Sequence, residues 1–259
     1  MLTIVIAGLV GLYCWIIPQT DCAAAPASHA QITADPDHHW QAYAWQADAA
    51  VPLGDVSDAA LPPETELTMP DADLLPAAWE VIDTQYADLT GDGQPEYALI
   101  VWRPWLDWPV MRWHAAASPI AAHQDAAGHS CHIILLNPTS RDADHTPGRA
   151  YELIWAGSAL ARPVTAIAVT ELDGQPGVEL IVLESRYQAG REAPADCFSV
   201  WQWNGFGFIM LWRSEPGCYQ SIRAIDTNGD GTAEILVRNC TLDESRLTQD
   251  EGGSVCEDG

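Results

Sequence analysis

One nine-residue run constrains this chain more than its composition does: Asp226-Thr227-Asn228-Gly229-Asp230-Gly231-Thr232-Ala233-Glu234. It sets oxygen-bearing side chains at alternating positions, relieves the bend at Gly231, and runs straight into the apolar Ile235-Leu236-Val237. A second copy stands upstream as Asp88-Leu89-Thr90-Gly91-Asp92-Gly93-Gln94-Pro95-Glu96, again followed by a β-rich apolar run, Tyr97 to Trp102. A hard cation such as calcium takes about six to eight oxygen ligands, and sets of this kind meet that demand. A loop that feeds directly into such a run reads as a strand-to-strand connection. The other familiar cation loop, the EF-hand, needs flanking helices and a glutamate at its twelfth position. That position is Leu99 in one copy and Val237 in the other.

Thr170 to Val182 holds a partial third copy. With Asp173-Gly174 aligned on Asp92-Gly93, Val169 stands where Asp88 does and Gly177 where Glu96 does. Two side-chain ligands are lost in that alignment, which predicts a loop that keeps its turn and binds calcium weakly or not at all.

Over Asp88 to Val101, Val169 to Leu183 and Asp226 to Val237, the chain resembles the FG-GAP/VCBS repeats, the blades of integrin-α-like β-propellers. The resemblance implies that each loop joins the first two strands of a four-stranded blade, with a structural calcium ion holding it rigid. It implies two sites. One is Asp88, Thr90, Asp92, the Gln94 carbonyl and Glu96; the other is Asp226, Asn228, Asp230, the Thr232 carbonyl and Glu234. Thr90 departs from the Asp or Asn usual at its place.

The intervening sequence predicts an all-β fold of propeller-like blades built from antiparallel strands. Trp203-Asn204-Gly205-Phe206 sets Asn-Gly between two aromatic-rich runs, a hairpin signal. About two and a half blades are visible, fewer than the four a closed propeller needs. His39 to Trp45 is a candidate strand for pairing with the unfinished last blade; an open stack or an assembly of several chains are the alternatives. The chain divides into a leader at 1–30, a Pro/Ala/Asp-rich spacer at 31–76 with the candidate closing strand at 38–46, a repeat region at 77–240 and an acidic tail at 241–259.

Charge narrows the partners. The 36 acidic residues face 11 basic ones, all arginine, for a net charge of −25. Such a surface repels phosphate backbones, which excludes nucleic acid as an expected partner and disfavours anionic membranes. Met1 to Ile17 carries no charged residue, and Ser28-His29-Ala30 is a small-x-small cleavage pattern. The run reads either as a signal peptide or as a retained N-terminal membrane anchor. Both place the protein outside the cytoplasm, secreted or held at the cell surface.

Five cysteines follow the candidate cleavage site, none in C-x-x-C spacing. Disulfides are then their natural use, and position along the chain suggests Cys197 with Cys218 and Cys240 with Cys256. The 12 tryptophans mostly read as core, but Trp105-Leu106-Asp107-Trp108-Pro109 sits in an irregular insertion. Exposed Trp beside Asp can stack on sugar rings or seat an apolar peptide. No nucleophile elbow or phosphate loop is present. The expectation is an exported, calcium-stabilised binding module for carbohydrate or extracellular protein. A polysaccharide hydrolase on the same scaffold, or a structural subunit completed by a partner chain or a second copy, are the alternatives.

Overall fold

The computed structural model describes residues 39–63, 70, 75–114, 116–138, 151–229 and 231–240. The fold is all-β: twelve strands form three four-stranded antiparallel sheets among these residues. The first sheet runs in chain order through β3 (Glu80–Ala87), β4 (Glu96–Pro104), β5 (His129–Pro138) and β6 (Tyr151–Ala156). The second runs likewise through β7 (Val164–Thr170), β8 (Glu179–Glu184), β9 (Cys197–Trp203) and β10 (Phe208–Arg213).

The third sheet joins the two ends of the described chain. Its order is β11 (Tyr219–Ile225), β12 (Glu234–Asn239), β1 (His39–Gln46) and β2 (Ala49–Ser57). Trp40 lies opposite Arg238 and Tyr43 opposite Ile235, so an N-terminal hairpin completes a sheet that the C-terminal strands begin. Residues 49–57 are therefore not part of a spacer, which corrects the reading of 31–76. Pro52 and Gly54 sit in β2, an outer strand where a missing backbone N–H leaves no ladder bond unmade.

Side chains alternate across a strand, and this alternation sets the stacking of the sheets. On β8, Leu180 and Val182 face the first sheet and pack with Ala98, Ile100, Ile133 and Leu135. Ile181 and Leu183 face the opposite way, toward Phe198, Ile222, Ile235 and Val237. The second sheet is therefore the middle layer. Its central strand β8, covered on both faces, carries an unbroken apolar run from Leu180 to Leu183 rather than an alternating one. The far face of the first sheet buries Leu99, Val101, Ile134 and Leu136 under Leu75 and Trp79. The far face of the third buries Trp40, Ala42 and Leu236 with Leu61. Both covers come from the 58–79 connection.

First strands meet along the inner edge. The Ile167 N–H donates to the Asp83 carboxylate at 2.8 Å, and the Gln85 amide donates to the Ile167 carbonyl at 3.1 Å. β7 touches both β3 and β11.

The disulfide differs from the expected pairs. Cys218 bonds Cys240, with Cα atoms 5.4 Å apart. These residues flank β11 and β12, where the Cys240 N–H also donates to the Cys218 carbonyl at 2.9 Å. Cys197 lies buried at the start of β9, in a different sheet from Cys218. Proximity along the chain misled here because residues 214–218 cross from one sheet to the next. Cys256 lies outside the described residues.

Candidate metal centres

Three loops of equal length join the first and second strands of the three sheets: β3 to β4, β7 to β8, and β11 to β12. Each ends on a glutamate that opens the second strand and points inward. Glu96 and Glu179 are fully buried and Glu234 is 5% exposed. Each takes the backbone N–H seven residues upstream. Leu89 donates to Glu96 at 2.9 Å, Leu172 to Glu179 at 2.8 Å and Thr227 to Glu234 at 2.7 Å.

The residue before that donor is again a carboxylate, folded over the loop. Asp88 Oδ1 accepts from Gly91 at 2.8 Å, Glu171 Oε1 from Gly174 at 2.5 Å and Asp226 Oδ1 from Gly229 at 2.6 Å. The three glycines share one backbone conformation, with φ of +76°, +74° and +77°, a left-handed turn that a Cβ opposes.

This equivalence corrects the alignment of the middle copy. Glu171 stands where Asp88 does, Asp173 where Thr90 does, and Glu179 where Glu96 does. Asp-Gly-Gln-Pro recurs in both copies, but shifted by two residues relative to the strands. What fixes the register is the buried glutamate opening the apolar run, Glu179-Leu180-Ile181-Val182 beside Glu234-Ile235-Leu236-Val237, and that signal was available in the sequence. The middle loop keeps its end carboxylates, and so it is not the depleted copy.

Oxygens of Asp88, Asp92 and Glu96 lie within 4.8 Å of one another, and so do those of Glu171, Asp173 and Glu179. The remaining expected ligands fall around the same loops. The Thr90 hydroxyl donates to Glu96 Oε1 at 2.8 Å, and the Gln94 N–H donates to Asp92 at 2.8 Å. The Asn228 amide donates to Glu234 Oε1 at 2.7 Å. Thr232 lies on the third loop, near the start of β12; Asp230 lies outside the described residues. All donors are oxygens, which suits a hard divalent cation and not a thiophilic one.

The middle loop is electrostatically the most loaded. Burial pushes the Glu179 carboxyl up to about 7, and the charges of Asp173 and Glu171 push the same way. The Leu172 N–H and Gln202 oppose them; the Gln202 amide spans Asp173 at 2.8 Å and Glu179 at 3.3 Å. A pKa raised in the fold above the ordinary 4.5 gives stability that is full below that pH and is lost as pH rises through about 7. In chelator, Glu179→Gln should therefore gain on the parent protein as pH rises from about 4.5 to 7.5. Denaturant melts across that range measure the gap, and a constant gap would refute the assignment. His132, which burial lowers to about 4, has an opposite slope common to both proteins, so it cancels.

The first two loops also touch. Val178 N–H donates to the Asp88 carbonyl at 2.9 Å, and a Cβ on Gly91 would lie 2.7 Å from the Pro176 carbonyl oxygen.

Ser130 Oγ and His132 Nε2 approach to 2.7 Å, but the two residues are 0% and 2% exposed. Cys131 and His132 point to opposite faces of β5; the thiol meets the Val164 carbonyl and the imidazole the Gly157 carbonyl. In the Trp-rich insertion, Trp105 and Trp108 are half-covered, and the Trp105 indole donates to the Ile120 carbonyl at 3.0 Å. The exposed aromatic is Trp113, at 76%, which the sequence reading did not single out within the insertion.

Compared with known proteins, this all-β chain with three acidic strand-to-strand loops matches no family model, no curated protein and no solved structure.

Proposed function

We propose that the protein is a calcium-braced β-repeat module with propeller-like blades, working outside the cytoplasm by binding rather than by catalysis. The observation that carries this reading is the threefold recurrence of one loop with a buried glutamate at its end. Burying a carboxylate is costly unless it is paired or coordinates a cation, and a chain that does so three times at one strand position is built around that cost. The residues that would hold the ions are Asp88, Thr90, Asp92, the Gln94 carbonyl and Glu96, then Glu171, Asp173 and Glu179, then Asp226, Asn228, Asp230, the Thr232 carbonyl and Glu234. Calcium would neutralise each cluster and fix the turn between two strands. The Cys218–Cys240 disulfide and the uncharged Met1 to Ile17 run support export. Carboxylates tied into loop bonds support a scaffold role over hydrolysis.

The test is a thermal melt in millimolar calcium and then in chelator. Extracellular calcium modules bind at about 10⁻⁴ to 10⁻³ M, so about 10 mM calcium should add roughly 1.5–2.5 kcal/mol per occupied site. The melting temperature should rise accordingly, and more with calcium than with magnesium. An unchanged melt would reduce the loops to ordinary Asx turns.

A further inference from the structure

The two ends of the molecule differ in chemistry. All three carboxylate loops lie at one end, as the strand directions and the Gly91–Pro176 contact require. At the other end lie the 105–128 insertion, the 185–196 connection and the start of β1. Arg191 ties these together, donating to Asp125 at 3.0 Å and to Glu80, while Ala195 bridges to Tyr219. The chain therefore enters β1 at His39 on the same end as the insertion.

The insertion is a fixed platform rather than a loose loop. Trp105 N–H donates to the Gly128 carbonyl at 2.8 Å, Ile120 is buried at 4%, and Asp125 accepts from the His129 N–H at 2.8 Å. From this base the short 3-10 turn Pro109–Trp113 projects outward. Val110 and Trp113 on it are 55% and 76% exposed, and Leu106 just before it is 66% exposed. Three large apolar side chains exposed within eight residues, on a segment anchored this firmly, mark a candidate contact surface. The Arg112 guanidinium lies 4.8 Å from the Trp113 ring and Asp107 beside Leu106 is exposed, so the segment carries no net charge across these residues.

We infer that this end docks on a lipid bilayer, with Leu106, Val110 and Trp113 entering its interfacial layer. Trp and Arg beside aliphatic side chains are the composition that partitions to the headgroup boundary. Leu106 and Val110 offer a sugar no hydrogen bonds, which disfavours a glycan. The 38 residues before His39, among them the uncharged run Met1 to Ile17, attach at this end rather than at the end of the carboxylate loops. The carboxylate loops sit at the far end, away from headgroup phosphates. The inference rests on the retained-anchor reading of the leader and is independent of calcium.

Amide hydrogen exchange of the full chain, alone and with neutral phosphatidylcholine vesicles, tests it. Vesicles should slow exchange across residues 105–114, and Trp113→Ala with Leu106→Ala should abolish that protection while leaving the thermal melt unchanged. A chain that sediments with vesicles but exchanges equally at 105–114 would overturn the proposal. So would a chain that does not bind vesicles, or protection already present without lipid, which would mean that another segment of the chain covers the patch. A calcium-independent melt would sink the calcium reading and leave this result unaffected.

Discussion

Phe198→Ala should cost about 3–5 kcal/mol, the range for emptying a fully packed aromatic site. Phe198 is wholly buried, and its ring lies 5.0 Å from Tyr43, 5.2 Å from Trp212 and 5.4 Å from Tyr219. Those rings come from both sides of the interface between the second and third sheets, including the N-terminal strand β1. The loss should therefore appear in one cooperative unfolding transition with its denaturant slope retained. A cost below about 1 kcal/mol would place the site among ordinary surface changes and contradict the packing of the third sheet on the second.

Gly91→Ala should cost about 2–4 kcal/mol, combining the strain of a left-handed backbone with a backbone collision. At φ +76°, an added Cβ meets the Pro176 carbonyl oxygen at 2.7 Å, and neither loop can give way without moving its turn. Gly93 and Gly229 have φ of +86° and +77° but nothing within 4 Å, so alanine there should cost only about 1–2 kcal/mol. The difference isolates the contact between the first two loops. Equal losses at the three positions, measured by denaturant titration, would show that the loops do not bear on each other.

Much of this architecture could be read from the chain because the physics was local. Oxygen spacing in Asp88–Glu96 and Asp226–Glu234, and the apolar runs after them, specify a tight turn followed by a buried strand without reference to anything distant. Asn204-Gly205 likewise announces its turn, where the Asn204 carboxamide oxygen accepts from Phe206 and Gly207 N–H groups at 3.0 and 3.1 Å. What escaped was nonlocal. β2 carries Pro52 and Gly54 and leaves most of its side chains exposed, because an outer strand needs only one paired side and little burial, so its sequence resembles a linker. Cys218 finds Cys240 through the β11–β12 ladder, which no cysteine spacing encodes.

The middle loop was misjudged for a different reason. Asp-Gly-Gln-Pro is a strong turn string, yet its place relative to the strand is free to slide, and only the inward-facing Glu179 pins it. Among the tryptophans, sequence could not rank exposure. Trp105 is held by the Ile120 carbonyl, whereas Trp113 stands on the outward side of its turn, a distinction set by residues far along the insertion.

The hairpin of β1 and β2 has a consequence for how the molecule comes into being. Its partner strand, β12, follows it in the chain only after the whole of the first two sheets. The first two sheets each occupy one continuous stretch and can assemble as they emerge, but the third must wait with one half made early and the other late. Until then β1 offers an unsatisfied edge, the feature that invites wrong pairing. Closing that gap spans the longest sequence separation among the described strand pairs, and loop-closure entropy makes such a pairing slower to form than the two continuous sheets.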